Sequence, residues 1–313
     1  MKLAFYTDPL ETFNLKKDST YALMMEAKKR GHALHVFYRN DLALYNDEVS
    51  ARIRQIELTG QEDLTWFSVT DIDDVALEAF DAVIVRKDPP FDIEYVNSTY
   101  FLELAEKRGA RIFNRPEAIR STNEKLAIAR FPQFMTPTLV TADETRLRSF
   151  HDQYRDVILK PINAMGGTGV FRVGSDGLNL GSVIETLTGN GTRTIMAQKY
   201  IPEINEGDKR VLLINGKVVP FALARIPRKG EVRGNLAAGG TGRAQPLSNR
   251  DRDIAETLAP VLAEQGIFLA GLDIIGDFLT EVNVTSPTCF REIAQQTGFN
   301  VAALFMDELE KTV

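Results

Sequence analysis

The chain carries one cysteine, Cys289, in 313 residues, which excludes an internal disulfide and suits a reducing compartment. Its three histidines, His32, His35 and His151, are too few and too scattered for a histidine-built metal centre. No apolar run is long enough to span a bilayer and the opening MKLAFYTDP lacks a signal-peptide pattern, so a cytoplasmic protein without membrane attachment is expected. Positive charge is not in excess either. A formal net charge of −6 gives no support for nucleic-acid binding, and any anionic ligand must be met by locally concentrated lysine and arginine. The glycine-rich turn of dinucleotide-binding folds is missing after the first apolar strand.

What is present is an ordinary globular composition, 44% apolar and 26% charged, in a chain long enough for two or three domains. Lys2 to Thr7 reads as a strand, Ser19 to Arg30 as a helix capped by Asp18 or Ser19, and Ala33 to Tyr38 as a second strand. Ala82 to Arg86, Tyr95 to Arg108 and Arg111 to Asn114 continue the alternation, which predicts an open parallel α/β sheet. The stretch between Asn40 and Phe80 shows no clear period. Ligands of such sheets sit beyond the carboxyl ends of strands, so Arg86 is a candidate for a substrate carboxylate, with an ordinary surface arginine as the alternative. Asp18 and Ser19 could meet a ligand at a helix start, although capping explains them equally. The alternation pauses near Arg115-Pro116, which places a domain boundary there, ahead of a short helix containing Asn123, Glu124 and Lys125.

Beyond that boundary the strand Val157 to Lys160 is followed by Met165-Gly166-Gly167-Thr168-Gly169 and a further strand. A glycine loop joining strand to strand is a hairpin tip rather than a P-loop; its free amides could still cradle phosphate, although a plain hairpin needs glycine too, and Lys125 and Lys160 are each either a phosphate ligand or a solvated charge. The strand Arg193 to Ile201 ends in Gln198, Lys199, Tyr200 and Ile201, which could line a purine edge while Asp208 accepts from ribose hydroxyls; an interdomain linker is the alternative. An Asn215-Gly216 turn pairs Ile214 with Lys217 and hence Arg210 with Phe221, which puts Arg210 and Arg225 on one face, either bordering one site or forming a solvated basic face. Pro227 to Gly242 has no period and reads as a lid from which Arg233 could reach an anionic intermediate, or as disorder.

The stretch Gly271 to Thr288 carries Asp273, Glu281 and Asn283, an oxygen-only set that suits Mg²⁺ or Mn²⁺ completed by water and phosphate, with a hairpin bearing a solvated polar face as the alternative. Glu281 and Asn283 share a strand face. A three-residue loop at Gly276 to Phe278 would put Asp273 opposite Glu281, whereas a two-residue loop would send it to the other face. Ser286-Pro287-Thr288 reads as a helix start that either binds a carboxylate or is simply capped, with Cys289 packed in its first turn.

In order along the chain, RKDPPFD at Arg86, NEKL at Asn123, DKRV at Asp208, RGNLAAGG at Arg233, GLDIIGD and NVTSPT closely resemble the bacterial glutathione synthetases of the ATP-grasp superfamily. The resemblance covers nearly the whole chain and implies an N-terminal open parallel-sheet domain (1–122) followed by a two-lobed ATP-grasp fold (123–204 and 205–313). It further implies an ATP-dependent ligase that joins γ-glutamylcysteine to glycine and, as in the family, assembly as a homo-oligomer, a tetramer. Carried over by position, Lys125, Lys160, Gly166 and Gly167 hold ATP phosphates, Gln198 to Ile201 line adenine, Asp208 meets ribose, and Asp273, Glu281 and Asn283 bind Mg²⁺. Arg210, Arg225 and Arg233 would stabilise the transferring phosphoryl group and the intermediate, with Ser19, Arg86, Asn283, Ser286 and Thr288 toward the substrate. The competing expectations are another ATP-grasp ligase, such as one joining two D-alanines or adding glutamate to proteins, and a non-catalytic ATP-binding module.

Overall fold

A computed structural model describes residues 1–61, 65–236 and 239–313. The first unit is built on β1 (Lys2–Tyr6), α1 (Ser19–Lys29), β2 (Ala33–Phe37), β3 (Leu42–Tyr45), β4 (Glu48–Leu58), β5 (Phe67–Ala76), β6 (Ala82–Val85), α2 (Ile93–Lys107), β7 (Ile112–Phe113) and α3 (Pro116–Ser121). Strands β2, β1, β6 and β7 lie side by side and parallel, as the alternation predicts. Strands β3, β4 and β5 extend that sheet in antiparallel fashion, so it is mixed rather than wholly parallel.

Those three strands occupy the stretch in which no period is legible. The reason is local. Val49, Ala51 and Ile53 of β4 alternate inward, but a register shift at Gln55/Ile56 moves the buried set to Ile56 and Leu58. Strand β5 offers no apolar face at all, because nearly every side chain from Ser68 to Asp74 meets solvent.

Helix α1 starts where the Asp18 carboxylate accepts from the Tyr21 amide at 2.7 Å, and Arg30-Gly31 ends it with Gly31 at φ 78°. It buries Leu23, Met24 and Ala27 against Leu3, Phe5 and Val36, together with Phe305 and Met306 from the C-terminal helix. The opposite sheet face packs Tyr6, Val83 and Val85 against Tyr95 and Leu102 of α2. The carboxyl ends of β1 and β6 are thereby fixed from both sides.

A second, four-stranded sheet has the order β10 (Phe171–Val173), β9 (Val157–Pro161), β11 (Ile195–Lys199), β8 (Thr138–Thr141), covered by α4 (Glu144–Tyr154) and α5 (Leu180–Thr188). A third, wholly antiparallel sheet runs β14 (Thr241–Pro246), β13 (Lys217–Ile226), β12 (Asp208–Ile214), β15 (Leu269–Ile275), β16 (Phe278–Asn283). Helix α6 (Asn249–Glu264) seals one face of this third sheet with Ile254, Leu258 and Leu262. Its start is set by reciprocal bonds between Ser248 and Asp251, and the fully buried Asp251 also pairs with Lys209. Helices α7 (Phe290–Thr297) and α8 (Val301–Thr312) return the chain to α1.

Two expected starts move. The helix anticipated at Ser286 begins at Phe290, because Cys289 adopts φ 88° and the residues before it form a loop. Asn123, Glu124 and Lys125 precede a 3₁₀ turn, Leu126–Arg130, instead of lying within a helix. Among the described residues no helix is long and apolar enough to cross a membrane.

Candidate active site

On the face away from α6, α7 and α8 pack over part of the third sheet, and the remainder opens on a cavity of about 350 Å³, which the second sheet closes from the other side. Two irregularities of register decide what that face carries. Between β15 and β16 the turn is the two-residue Gly276-Asp277, with Ile275 opposite Phe278, which on its own would turn Asp273 away from Glu281. A bulge between Asp273 and Ile274 in that ladder restores the pairing, so Asp273 stands opposite Glu281 and Gly271 opposite Asn283. The Thr280 hydroxyl donates to the Asp273 carbonyl at 3.1 Å and ties the bulge down.

A second shift, between Val211 and Leu213, alters the Asn215-Gly216 hairpin. Ile214 does pair with Lys217, but Arg210 lies opposite Leu223 rather than Phe221, and Asp208 opposite Arg225. Arg210 and Arg225 still reach one place. Arg210 donates through Nε to Asp273 Oδ1 at 2.6 Å and through Nη2 to Oδ2 at 3.2 Å, while Arg225 Nη2 lies 2.8 Å from Asp273 Oδ2. Burial alone would raise the Asp273 carboxyl; the two guanidiniums outweigh it and hold the group below the usual carboxylate range. Arg225 also donates to Asp208 Oδ2 at 2.5 Å, leaving Asp208 Oδ1 buried and without a partner, and burial pushes that carboxyl upward.

The second sheet supplies Lys160 at the end of β9. Its ammonium is nearly buried, at 8% exposure, and makes no hydrogen bond or ion pair among the described residues. Burial pushes its pKa down to about 8, only partly offset by Glu281. Lys125 is better provided for, donating to the Ala164 carbonyl at 2.6 Å and to Glu281 Oε1 at 2.9 Å. The glycine tip closes over both: Gly166 and Gly167 have φ 63° and 81°, and a side chain at Gly167 would meet Asn235 Oδ1 at 2.7 Å. The tip therefore touches the segment that carries Arg233, which also lines the cavity and lies 2.9 Å from Glu231. Ala237 and Ala238 of the expected lid lie outside the described residues.

Most of the residues named from sequence meet at this one cavity: Lys125, Lys160, Gly166, Gly167, Gln198, Lys199, Tyr200, Ile201, Asp208, Arg210, Arg225, Arg233, Asp273, Glu281, Asn283, Ser286 and Thr288 all line it. Two do not. Ser19 is buried, with its hydroxyl accepting from the Phe290 amide at 3.2 Å, so it anchors α7. Arg86 lies just behind the wall, donating to the Pro287 carbonyl at 2.9 Å. Cys289 is packed, as expected, yet also borders the cavity, and burial raises its thiol.

Glu124 had no assigned role in the sequence. Its Oε1 accepts from the Val284 amide at 2.8 Å, the Thr285 amide at 3.1 Å and the Thr285 hydroxyl at 2.9 Å, while its carbonyl accepts from the Val282 amide. Glu124 thus fastens the start of the Lys125 segment to the strand bearing Glu281 and Asn283. The NEKL motif contained the residue but gave no sign of its partner, 160 positions away.

By residue type the donor set suits a hard divalent cation, with both Asp273 oxygens already engaged by Arg210 and Arg225. Asp273, Glu281 and Asn283 are cross-strand neighbours, the Asn283 amide nitrogen is held by the Gly271 carbonyl at 3.1 Å, and its oxygen accepts no bond among the described residues. No group of three or more His, Cys, Asp and Glu that could hold a metal gathers anywhere among the described residues, so this set rests on two carboxylates and one amide. The unpaired Lys160 ammonium calls for an anion, and phosphate oxygens would satisfy it and complete the cation's coordination.

Comparison with known proteins agrees with this geometry. Residues 1–120 match the N-terminal domain of prokaryotic glutathione synthetase and residues 124–298 match its ATP-grasp domain. The chain is 60% identical over 311 residues to a glutathione synthetase of Ralstonia nicotianae, covering 99% of this chain and 96% of that one. It is 54% identical over 315 residues to one of Nitrosomonas europaea, covering 100% and 98%. Among solved structures the fold is similar to the D-cycloserine synthetase DcsG, with TM-score 0.68 at 16% identity over 100% of this chain and 99% of that one. It also resembles the ATP-grasp ligase PsnB, with TM-score 0.63 at 17% identity over the full length of both chains. On sequence over its full length, and on an α/β fold of the ATP-grasp type, the chain belongs to the prokaryotic glutathione synthetase family.

Proposed function

We propose that this ATP-dependent ligase joins γ-glutamylcysteine to glycine in the cavity between the second and third sheets, giving glutathione, ADP and phosphate. The observation that carries the reading is the convergence of Lys125 and Lys160 with the Asp273, Glu281 and Asn283 face in one cavity of a chain from this family.

A carboxylate is a poor electrophile, so the γ-phosphoryl group of ATP is first transferred to the cysteinyl carboxylate, forming an acyl phosphate. The glycine nitrogen then attacks the acyl carbon, the carbon–oxygen bond to phosphate breaks, and phosphate departs with the electron pair. The protein's part is to position the reactants and neutralise charge. Lys160 and Lys125 hold the phosphates, the Gly166-Gly167 amides lie along them, Gln198 to Ile201 border the adenine, and Asp208 takes the ribose. Arg210 and Arg225, set by Asp273, face the transferring phosphoryl group and the tetrahedral oxygen. Asp273, Glu281 and Asn283 would hold a divalent cation, Mg²⁺ or Mn²⁺, which when bound supplies charge neutralisation at the phosphates. Arg233 and its segment exclude water, which would otherwise hydrolyse the acyl phosphate. Ser286 and Thr288 contact the dipeptide.

Three lobes, 1–122, 123–204 and 205–313, are proposed, a division that the three separate sheets support, and a cytoplasmic homotetramer is the assembly proposed on family grounds. The test is ADP release with each substrate omitted in turn. Release that requires both γ-glutamylcysteine and glycine is expected; equal release with D-alanine alone, or none with the pair, would refute the assignment.

A further inference from the structure

The turn Gly276-Asp277 does not line the cavity, yet a cation holds each of its carbonyls. Lys209 donates to the Gly276 carbonyl at 2.9 Å, and Arg250 donates through Nε to the Asp277 carbonyl at 3.1 Å. Both cations are fixed in place by acids in the first turn of α6. Lys209 pairs with the fully buried Asp251, and Arg250 pairs with Asp253 at 2.7 Å. The second oxygen of Asp251 accepts from the Ser248 amide at 3.0 Å, so this carboxylate cannot swing away. Arg250 is further held over the Phe134 ring, 4.9 Å from its centroid. Lys209 stands opposite Ile274 and shares its face, the one that α6 covers. The start of α6 therefore grips the turn from the side of the sheet away from the cavity.

This grip decides where the strand pair carries its extra residue. Two connections bring Asp273 opposite Glu281. A three-residue loop over Gly276 to Phe278 does so without a bulge, pairing Ile275 with Leu279 and Ile274 with Thr280. That register would push the Thr280 hydroxyl into the apolar face under α6 and turn Leu279 toward the cavity, since cross-strand partners share a face. The two-residue turn instead pairs Ile275 with Phe278 and Ile274 with Leu279, and makes Thr280 the extra residue. Leu279 is then buried under α6, and Thr280 borders the cavity with its hydroxyl on the Asp273 carbonyl. The bonds from Lys209 and Arg250 favour this second connection, because a loop that takes in Phe278 must rearrange both carbonyls. A bulge bends its strand and re-aims the side chain that follows. Here that side chain is Glu281.

Resting on the cation site of the ligase reading above, we propose that Lys209 and Arg250 are positioning residues for that site. By clamping the turn they force the irregularity to Thr280, and the bulge there sets the aim of Glu281 beside Asn283. Neither residue touches substrate or nucleotide. Their effect passes through the hairpin, so it falls on cation affinity and leaves the phosphate-binding lysines alone.

The test is uptake of Mn²⁺, read from loss of the free-ion electron paramagnetic resonance signal with a non-hydrolysable ATP analogue present and the analogue-only control subtracted. Lys209→Met should raise the Mn²⁺ dissociation constant on the order of tenfold and Arg250→Met by a few-fold, while affinity for the analogue measured without metal stays at the wild-type value. Lys209→Arg should recover most of the loss. Arg252→Met, on the same helix but directed at Glu256, should match the wild type throughout. Should Lys209→Met not fold, because it leaves Asp251 buried without its counter-ion, the pair Lys209→Met with Asp251→Asn removes both charges and takes its place. Unchanged Mn²⁺ uptake in either the Lys209 or the Arg250 variant overturns the clamp and leaves the ligase reading standing. An equal loss of metal-free analogue affinity would mark general damage and overturn it too. No uptake by the wild type beyond the control would remove the cation site itself, and the inference with it.

Discussion

Raising the pH should weaken nucleotide binding through Lys160 in a way that a single substitution can isolate. The ammonium is buried, makes no ion pair among the described residues, and has its pKa pushed down to about 8 from the ordinary lysine value of 10.5. In the free protein it is about nine-tenths protonated at pH 7 and about one-tenth at pH 9. Bound phosphate favours the charged form and restores the higher value, so affinity must decline as pH rises through the free-state value. If the bound pKa returns to 10.5 or above, the dissociation constant should increase about tenfold between pH 7 and 9, or about 1.4 kcal/mol. The sign for folding is opposite. The folded chain binds fewer protons than the unfolded one between about 8 and 10.5, so this group's contribution to stability grows as pH rises through that window. The assay is calorimetric titration with a non-hydrolysable ATP analogue at fixed ionic strength, run on wild type, Lys160→Met and Lys160→Arg. Lys160→Met should bind weakly at every pH, and Lys160→Arg should lose the dependence, because a guanidinium stays charged throughout. A wild-type affinity that is flat across the range, or an equally steep fall in Lys160→Arg, would refute the reasoning.

Glu281→Gln should remove at least about 10²-fold of turnover, since a carboxylate of the proposed cation site is lost, while thermal midpoint changes by only a few degrees. Its one ion pair among the described residues, to Lys125, is part-exposed, so scanning calorimetry beside the ADP assay separates the two effects. Asp273→Asn should instead be a stability variant as well as an inactive one. The carboxylate compensates two buried guanidiniums, and its loss should cost about 3–5 kcal/mol in urea denaturation; a change under about 1 kcal/mol would show that the arginines find other partners.

Much of the site was legible because its members fall in short runs whose local geometry is self-determined. Glu281 and Asn283 share a face by strand period alone, Asn215-Gly216 sets its own turn, and the glycine cluster between two strands is recognisable as a hairpin tip. The parallel order of β1, β2, β6 and β7 is likewise written in alternating strand and helix patterns. The family resemblance rested on the same runs. Strand β5 could not be found this way, since a strand with no buried face leaves no apolar period to read.

Tertiary structure decided what depends on contacts between distant segments. The bulge opposite Asp273 reverses what its two-residue turn implies, and only the pairing of β15 with β16 shows it. Whether a charge is solvated or orphaned is also a property of its surroundings. Lys160 and Arg86 look in sequence like any surface cation, and Glu124 like any surface acid. Enclosure by the second and third sheets leaves Lys160 with no ion pair among the described residues, packing of α1 against the Pro287 loop does the same to Arg86, and a loop 160 residues onward gives Glu124 its bonds. Composition and local period specify which side chains are available and which way short elements face; the dielectric and the partners each charge encounters are set only when remote strands close around it.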